Sequence, residues 1–288
     1  MALAQAPQAI PTQLSLSQFE EFVLPHLPAR GRGPQPKLSW HQTFNYILKA
    51  LYLGCQWKVL PIEKGPDGLP EIHFTRIYHA FRRLVEHGAI DAVFRGSVSV
   101  LHQRGQLDLS VIHGDGTTTA AKKGGDNLGF SGHKHVKGDK VVSFCDRNCN
   151  VVAPFIAAPG NCNESTLLPK ALKNLTEVAR ILGINLVRSV LSLDGVYDSR
   201  LNRKAVFNRG MVPNINENQR NRLSTKRGRK RFFNQEIFDE RFATIERVFG
   251  WEDKFCRLLI RFERISKLHY AFKTLAYTMI NLRSFCRG

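Results

Sequence analysis

The sequence predicts a mixed α/β catalytic domain preceded by a small helical domain, and three observations support this prediction. Apolar residues up to about residue 87 recur at helical spacing. From Leu107 onward, short apolar runs typical of strands replace that pattern. Two of these runs lead to an aspartate that is followed by glycine, at Asp115 and Asp194. The predicted domains are residues 1–103 and residues 104–288.

The net charge indicates a polyanionic partner. The chain has 288 residues, with 42 Lys and Arg against 24 Asp and Glu, and its formal net charge is +18. Residues 200–288 contain 21 basic and 8 acidic residues, so most of the excess lies in the last third. Such an imbalance is typical of proteins that bind nucleic acid.

The N-terminus and the cysteines predict a cytoplasmic, nucleoid-associated protein with no membrane partner. Residues 1–16 lack the basic start and apolar core of a signal peptide. No apolar run approaches the ~20 residues that span a bilayer. The six cysteines form no Cys-x-x-Cys pair, so we expect reduced thiols. The alternative is a zinc site, although its spacing fits no standard site. Its ligands would come from Cys145, Cys149, Cys162, His133 and His135.

The first domain is predicted to be a small helical bundle of helix-turn-helix type. Ser39 caps one helix, Gly54 ends it, and Thr75 begins another. If the helix at Thr75 lay in a DNA groove, its arginines would contact phosphates. These arginines are Arg76, Arg82 and Arg83. The alternative is a solvated basic face, which is common on charged helices.

The second domain shows a characteristic order of elements. Strands are predicted at 107–113, 140–145 and 151–157, a helix at 166–182, a strand at 188–194, a helix at 197–207, a strand at 211–215 and a helical stretch at 238–263. The turn at Asp146–Asn150 joins the second and third strands as a hairpin, and we predict three antiparallel strands followed by a helical crossover to the fourth. This is the order of a ribonuclease-H-like domain with a mixed five-stranded sheet.

Three regions supply acids for one site. A strand that ends on a carboxylate flanked by glycine often presents a catalytic acid or a metal ligand. A simple turn is the alternative, because Gly and Asp are turn residues. The helical stretch adds Asp239, Glu246 and Asp253 on one face, about 10 Å apart along the axis. Helix geometry therefore leaves all three as candidates for the third acid.

The segment from 218 to 231 is densely basic. We favour a phosphate-binding arm beside the acids over a solvated tail, because a carboxylate site that acts on a polyanion needs such cations. Its basic residues are Arg220, Arg222, Lys226, Arg227, Arg229, Lys230 and Arg231.

Motifs along nearly the whole chain match those of a known family. They are Gly54-Cys55-Gln56-Trp57 with Leu60-Pro61, Arg76-Ile77-Tyr78 with Phe81-Arg82-Arg83-Leu84, His113-Gly114-Asp115, Gly132-His133-Lys134, Gly160 with Glu164-Ser165, Asp194-Gly195 with Tyr197-Asp198, Pro213-Asn214-Ile215, and Arg241-Phe242 through Ile245-Glu246-Arg247 to Lys254-Phe255. By these motifs the chain resembles the bacterial insertion-sequence transposases with a DDE triad, of the insertion-sequence-five group. Phe238 stands where that family usually has Tyr.

The resemblance implies a DNA transposase. Such an enzyme binds the inverted repeats at the ends of its element, pairs them as a homodimer, and cuts and joins DNA strands. The implied catalytic and metal-binding residues are Asp115, Asp194 and Glu246, with two Mg²⁺ or Mn²⁺ ions as cofactors. Arg241 and Lys254 would contact phosphates. The alternatives are a hydrolytic nuclease of the same fold and a DNA-binding repressor, and intact acids at all three positions argue against the repressor.

Overall fold

The chain forms two compact units in the computed structural model, which describes residues 9–29, 36–218 and 231–286. The first unit contains the described residues of Met1–Val100, Lys122–Asp126 and Trp251–Gly288. The second contains those of Leu101–Ala121 and Asn127–Gly250. Within these ranges every helix is too short or too polar to span a bilayer. Six predicted arm residues, Arg220, Arg222, Lys226, Arg227, Arg229 and Lys230, lie outside the described residues.

The helices and strands of the described residues are numbered in chain order. The helices are α1 (Leu16–Phe22), α2 (Trp40–Leu53), α3 (Phe74–Glu86), α4 (Ala89–Gln103), α5 (Glu164–Leu182), α6 (Arg200–Phe207), α7 (Gln235–Asp239), α8 (Ile245–Glu252), α9 (Cys256–Leu259) and α10 (Ser266–Leu282). The strands are β1 (Val111–Ala121), β2 (Gly129–Ser131), β3 (Val136–Asp146), β4 (Ile156–Pro159), β5 (Val190–Leu193), β6 (Val212–Ile215) and β7 (Ile260–Arg261).

Local signals begin and end α2 as the sequence predicts, and a serine cap also begins α1, whereas α3 begins at Phe74 with a His73 cap, one residue before the predicted Thr75. The side chains of Ser15 and Ser39 accept hydrogen bonds from the backbone N–H groups of Gln18 and Gln42. The two glutamine side chains bond back to the serine backbones, so α1 and α2 each start with a capping box. Gly54 ends α2 with a left-handed φ of 66°.

The core of the first unit includes the C-terminal helices. Phe44 and Ile47 of α2, Phe81 of α3 and Phe272 and Met279 of α10 are all buried in one cluster. The rings of Phe81 and Phe272 stack at 4.3 Å. Burial of such side chains stabilises the fold by roughly 1.5–3 kcal/mol each. Residues 251–288 are predicted to belong to the second domain, whereas their described apolar side chains pack in the core of the first unit.

Helix α4 was not among the predicted helices. Its Gly, Ser and Val residues favour helix weakly in isolation. Val93, Phe94 and Val98 are nevertheless buried, and tertiary burial of one face is what stabilises most helices in proteins. The division between the two units falls within α4, after Val100.

The second unit is built on a mixed sheet. Its strands follow the order β2-β3-β1-β5-β6, and β4 also pairs with β3. The pairs β1–β3 and β3–β4 are antiparallel, whereas β1–β5 and β5–β6 are parallel. Helix α5 connects β4 to β5, and α6 connects β5 to β6. The order β4-β3-β1-β5-β6 with these directions is the ribonuclease-H-like fold, so this prediction is confirmed.

The bounds of three predicted elements were wrong. The strand predicted at 151–157 is β4, which runs Ile156–Pro159 and pairs with β3. Strand β1 runs Val111–Ala121 and continues past Asp115, because its antiparallel pairing with β3 extends as far as Ala120. The stretch 238–263 is not one helix. A 3₁₀ turn at Glu240–Ala243 separates α7 from α8, and the backbone breaks at Thr244, where φ is −124° and ψ is −91°.

Candidate active site

Strand register places the two aspartates side by side. Strands β1 and β5 pair in parallel as far as Gly114 and Leu193. Asp115 follows Gly114 within β1, and Asp194 follows Leu193 directly after the end of β5, so both come next after the last parallel pair of the sheet. A Cβ on Gly114 would lie 2.6 Å from side-chain atoms of Leu193, which explains the small residue there.

Backbone hydrogen bonds hold both aspartates. Oδ1 of Asp115 accepts a hydrogen bond of 2.8 Å from the N–H of Gly116. Oδ1 of Asp194 accepts one of 2.6 Å from the N–H of Gly195, where Asp194 caps a 3₁₀ turn. The side chain of Asp115 is 16% exposed and that of Asp194 is 44% exposed. The two carboxylates therefore differ mainly in their access to water.

The third predicted acid, Glu246, lies in the first turn of α8. The non-helical backbone of Thr244 changes the direction of the chain just before α8 begins. Of the other two candidates that helix geometry left open, Asp239 is exposed and accepts a hydrogen bond from Gln235 on α7. Asp253 belongs to the first unit.

One guanidinium contacts all three predicted acids. Arg241 lies 2.6 Å from Oδ2 of Asp115, 3.5 Å from Oδ1 of Asp194 and 3.5 Å from Oε1 of Glu246. The rings of Phe238 and Phe242 lie 5.3 and 5.9 Å from it and add cation–π contacts. The structure therefore brings Asp115, Asp194, Glu246 and Arg241 together around one cation.

The site's most buried acid is strongly perturbed. Burial raises the pKa of Asp115 to about 6, since desolvation disfavours the carboxylate, and the nearby Arg241 opposes this rise. Glu164 and Asp194 add to the rise through their negative charge. A carboxyl group with such a pKa changes its protonation state readily near neutral pH.

A second ion pair lies on the same side of β1. Glu240 accepts from Arg147 at 2.5 and 2.8 Å, and His113 lies 3.4 Å from its Oε2. The bond to Arg147 lowers the pKa of Glu240, while burial lowers that of His113. Glu240 is therefore already paired.

Three residues near Asp115 were not assigned a role from the sequence. Glu164, at the start of α5, lies 3.0 Å from Nζ of Lys140 on β3. The buried hydroxyl of Tyr197 donates to Oε2 of Glu164 over 3.4 Å. The Glu164-Ser165 motif was the available signal, but only the fold shows that this glutamate approaches β1.

Apart from Arg241, which is only 16% exposed, the predicted DNA-binding residues of the described chain lie at the surface of their own units. Arg76 and Arg83 are exposed on α3, and Arg82 pairs with Glu86 at 3.2 Å. Lys254 is exposed in the first unit. Arg231 in the second unit pairs with Asp198 at 3.0 Å.

The donor chemistry of the acids suits a hard divalent cation. Their carboxylate oxygens face a common cation and are the ligands that Mg²⁺ and Mn²⁺ prefer. Among the described residues, no three His, Cys, Asp or Glu side chains are arranged as a metal-binding group, and the three acids contact Arg241 instead. A metal ion bound by these acids would have to displace Arg241 from the carboxylates. None of the six cysteines, Cys145, Cys149 and Cys162 included, forms a disulfide in the part of the chain that the structure describes.

Three solved structures have a similar chain course. The first is a piggyBac transposase in a synaptic complex with hairpin DNA, with a TM-score of 0.42 and 11% identity, covering 86% of this chain and 62% of that one. The second is the Mos1 transposase in a paired-end complex with the left transposon end. Its TM-score is 0.28 and its sequence identity is 12%, and the match covers 65% of this chain and 61% of that one. The third is the catalytic domain of the Mos1 mariner transposase. Its TM-score is 0.29 and its sequence identity is 11%, and the match covers 65% of this chain and 92% of that one.

These likenesses are weak and add no evidence on function. The chain spans about 62% of the length of the piggyBac chain. No protein-family model and no curated protein matches the sequence.

Proposed function

We propose that this chain is a DNA transposase with a DDE triad, of the insertion-sequence-five group. The single observation that supports this most is the convergence of Asp115, Asp194 and Glu246 on the guanidinium of Arg241. Acids from two strands and a helix that are far apart in sequence meet at one place in a ribonuclease-H-like sheet. The net charge of +18 adds a reason to expect a nucleic-acid substrate.

The three acids would hold two Mg²⁺ or Mn²⁺ ions, which when bound supply an activated water and stabilise the leaving oxygen of the cut strand. The chain's own part is to fix the ligands. Asp115 and Asp194 are held by backbone N–H groups, whereas Glu246 is 42% exposed and lies in the first turn of the short helix α8. Once Arg241 has left the acids, its guanidinium is free to bind a DNA phosphate.

We propose that the remaining basic residues bind double-stranded DNA. Helix α3 would recognise the terminal inverted repeats through its exposed arginines, in a helix-turn-helix-type arrangement. The segment from Arg220 to Arg231 and Lys254 would add sequence-independent phosphate contacts. Two copies of the chain would pair the element ends before strand transfer into target DNA.

A strand-transfer assay with pre-cut ends tests the proposed function. Fragments that carry the DNA flanking this gene, already cut to leave a free 3′-OH, are incubated with the chain, Mg²⁺ and a target plasmid. A transposase joins the 3′ ends to the plasmid. If the chain only degrades or nicks DNA and never joins it, it is a hydrolytic nuclease of the same fold. Binding without any cutting indicates a repressor.

A further inference from the structure

A fourth carboxylate lies behind β1, on the face opposite to Asp115. Successive residues of a strand point to opposite faces, so the Gly116 position faces α5. A Cβ added to Gly116 would lie 2.4 Å from Cδ and 2.5 Å from Oε2 of Glu164. The carboxylate of Glu164 therefore occupies the space that a side chain at residue 116 would need.

Two partners fix this carboxylate. Lys140 lies 3.0 Å from Oε1, and its Nζ also donates to the carbonyl of Cys162 at 3.1 Å. Tyr197, which is fully buried, donates to Oε2. The side chains of Glu164 and Lys140 are 18% and 12% exposed. Glu164 is also the first residue of α5, where the helix dipole favours negative charge.

We propose that Glu164 is a positioning residue whose negative charge, held by Lys140 and Tyr197 behind β1, strengthens the binding of a divalent cation by the triad. This inference rests on the proposed function. Charges in a partly buried setting act on one another at an effective dielectric constant of about 20, so the carboxylate influences the cation without touching it. Glu164 attracts the cation, and the ammonium of Lys140 weakens that attraction.

Substitutions of Glu164 and of Lys140 should therefore change the affinity for Mn²⁺ in opposite directions. We expect Glu164→Gln to weaken Mn²⁺ binding roughly threefold to tenfold, because it removes one negative charge. Lys140→Met should tighten Mn²⁺ binding by a similar factor, because it leaves the carboxylate uncompensated. The double variant should bind Mn²⁺ nearly as the wild type does. If the ion pair only supported the fold, Glu164→Gln and Lys140→Met would both weaken Mn²⁺ binding.

The measurement is a Mn²⁺ titration of the full chain without DNA, followed by electron paramagnetic resonance of the free ion. Circular dichroism and thermal melting check that each variant is folded. Glu177→Gln is the matched control, because Glu177 is also on α5 but pairs with Arg180 at the surface. It should bind Mn²⁺ as the wild type does.

The outcomes separate this inference from the proposed function. If Asp115→Asn binds Mn²⁺ as tightly as the wild type, the metal site of the proposed function fails. If Asp115→Asn loses binding but Glu164→Gln equals the wild type, only the role of Glu164 fails. A loss beyond about a hundredfold in Glu164→Gln would make it a direct ligand and overturn the positioning role. If Glu164→Gln does not fold, Lys140→Met decides: tighter binding supports the inference, and unchanged or weaker binding overturns it.

Discussion

Arg241 supplies the positive charge that offsets the repulsion among the three acids when no metal ion is bound. Without its cation, three neighbouring carboxylates repel one another, and Asp115 loses an ion pair in which both side chains are only 16% exposed. We expect Arg241→Gln to lower the free energy of unfolding by about 1–3 kcal/mol in chelator. Mg²⁺ should then raise the melting temperature more in the variant than in the wild type, because the ion no longer competes with the guanidinium.

Thermal melting in chelator and in Mg²⁺ measures both effects. Arg180→Gln is the control, since the pair of Arg180 with Glu177 is at the surface and such pairs contribute little. An identical Mg²⁺ shift in wild type and Arg241→Gln would mean that Arg241 does not compete with the metal.

Asp115 gives the stability of the chain a defined pH dependence. Its pKa is raised from 3.8 to about 6 in the fold, first by burial. The native chain therefore holds the proton of Asp115 more tightly than the unfolded chain does. This protonation contributes fully to the free energy of unfolding below about pH 4, and the contribution is lost as the pH rises through 6. Because Asn cannot ionise, the free energy of unfolding of Asp115→Asn should rise relative to that of the wild type by at most about 3 kcal/mol over that pH range. Urea unfolding in chelator at several pH values measures the difference, and a flat difference would contradict the raised pKa.

The sequence was informative about these residues only in part. Asp115 and Asp194 could be located because each carboxylate follows an apolar run and precedes a glycine. Three candidates for the third acid shared one helix face, and only the family motif selected Glu246. That Arg241 contacts all three acids depends on a break at Thr244 that no sequence pattern marked.

Secondary-structure elements were predictable where local signals decide them. The capping boxes at Ser15 and Ser39 and the stop at Gly54 are local, and so is the alternation of strands with helices in the second unit. The extension of β1 past Asp115 and the existence of α4 depend on partners distant in sequence, β3 for the former and the buried core for the latter. Propensity alone does not contain that information.

Gly54 combines a required backbone conformation with a close contact. Its φ is 66°, and a Cβ there would lie 2.8 Å from the backbone of Cys256 and 3.0 Å from that of Arg257. We expect Gly54→Ala to destabilise the first unit by about 2–4 kcal/mol, because both strain and overpacking act. Gly88→Ala is the matched control, since Gly88 has a φ of 67° but no atoms within 4 Å of the added Cβ.

Tryptophan fluorescence during urea unfolding measures both glycine variants. Trp40, Trp57 and Trp251 are the chain's three tryptophans, and all belong to the first unit. Gly88→Ala should cost only the left-handed strain of about 1–2 kcal/mol. Equal losses in the two variants would show that the approach of Cys256 does not restrict Gly54.

At the scale of the whole molecule, the first unit is assembled from both ends of the chain. A fragment that ends at Gln103 lacks α9 and α10, and with them Phe255, Leu258 and Phe272 of the core. We expect this fragment to show no cooperative urea transition, because Phe81 loses its stacking partner and the core opens to water. Co-expression with residues 251–288 should restore the transition. A cooperative transition of the fragment alone would show that α10 is dispensable.

The central claim is that Asp115, Asp194 and Glu246 together cut DNA, and cleavage of a plasmid that carries the DNA flanking this gene tests it most directly. In Mg²⁺ the wild type should cut at the element ends. Asp115→Asn, Asp194→Asn and Glu246→Gln should bind the same DNA without detectable cutting, while Asp239→Asn and Asp253→Asn cut normally. If any triad variant cuts like the wild type, or if the loss falls on Asp239 or Asp253 instead, the site described here is not the catalytic centre.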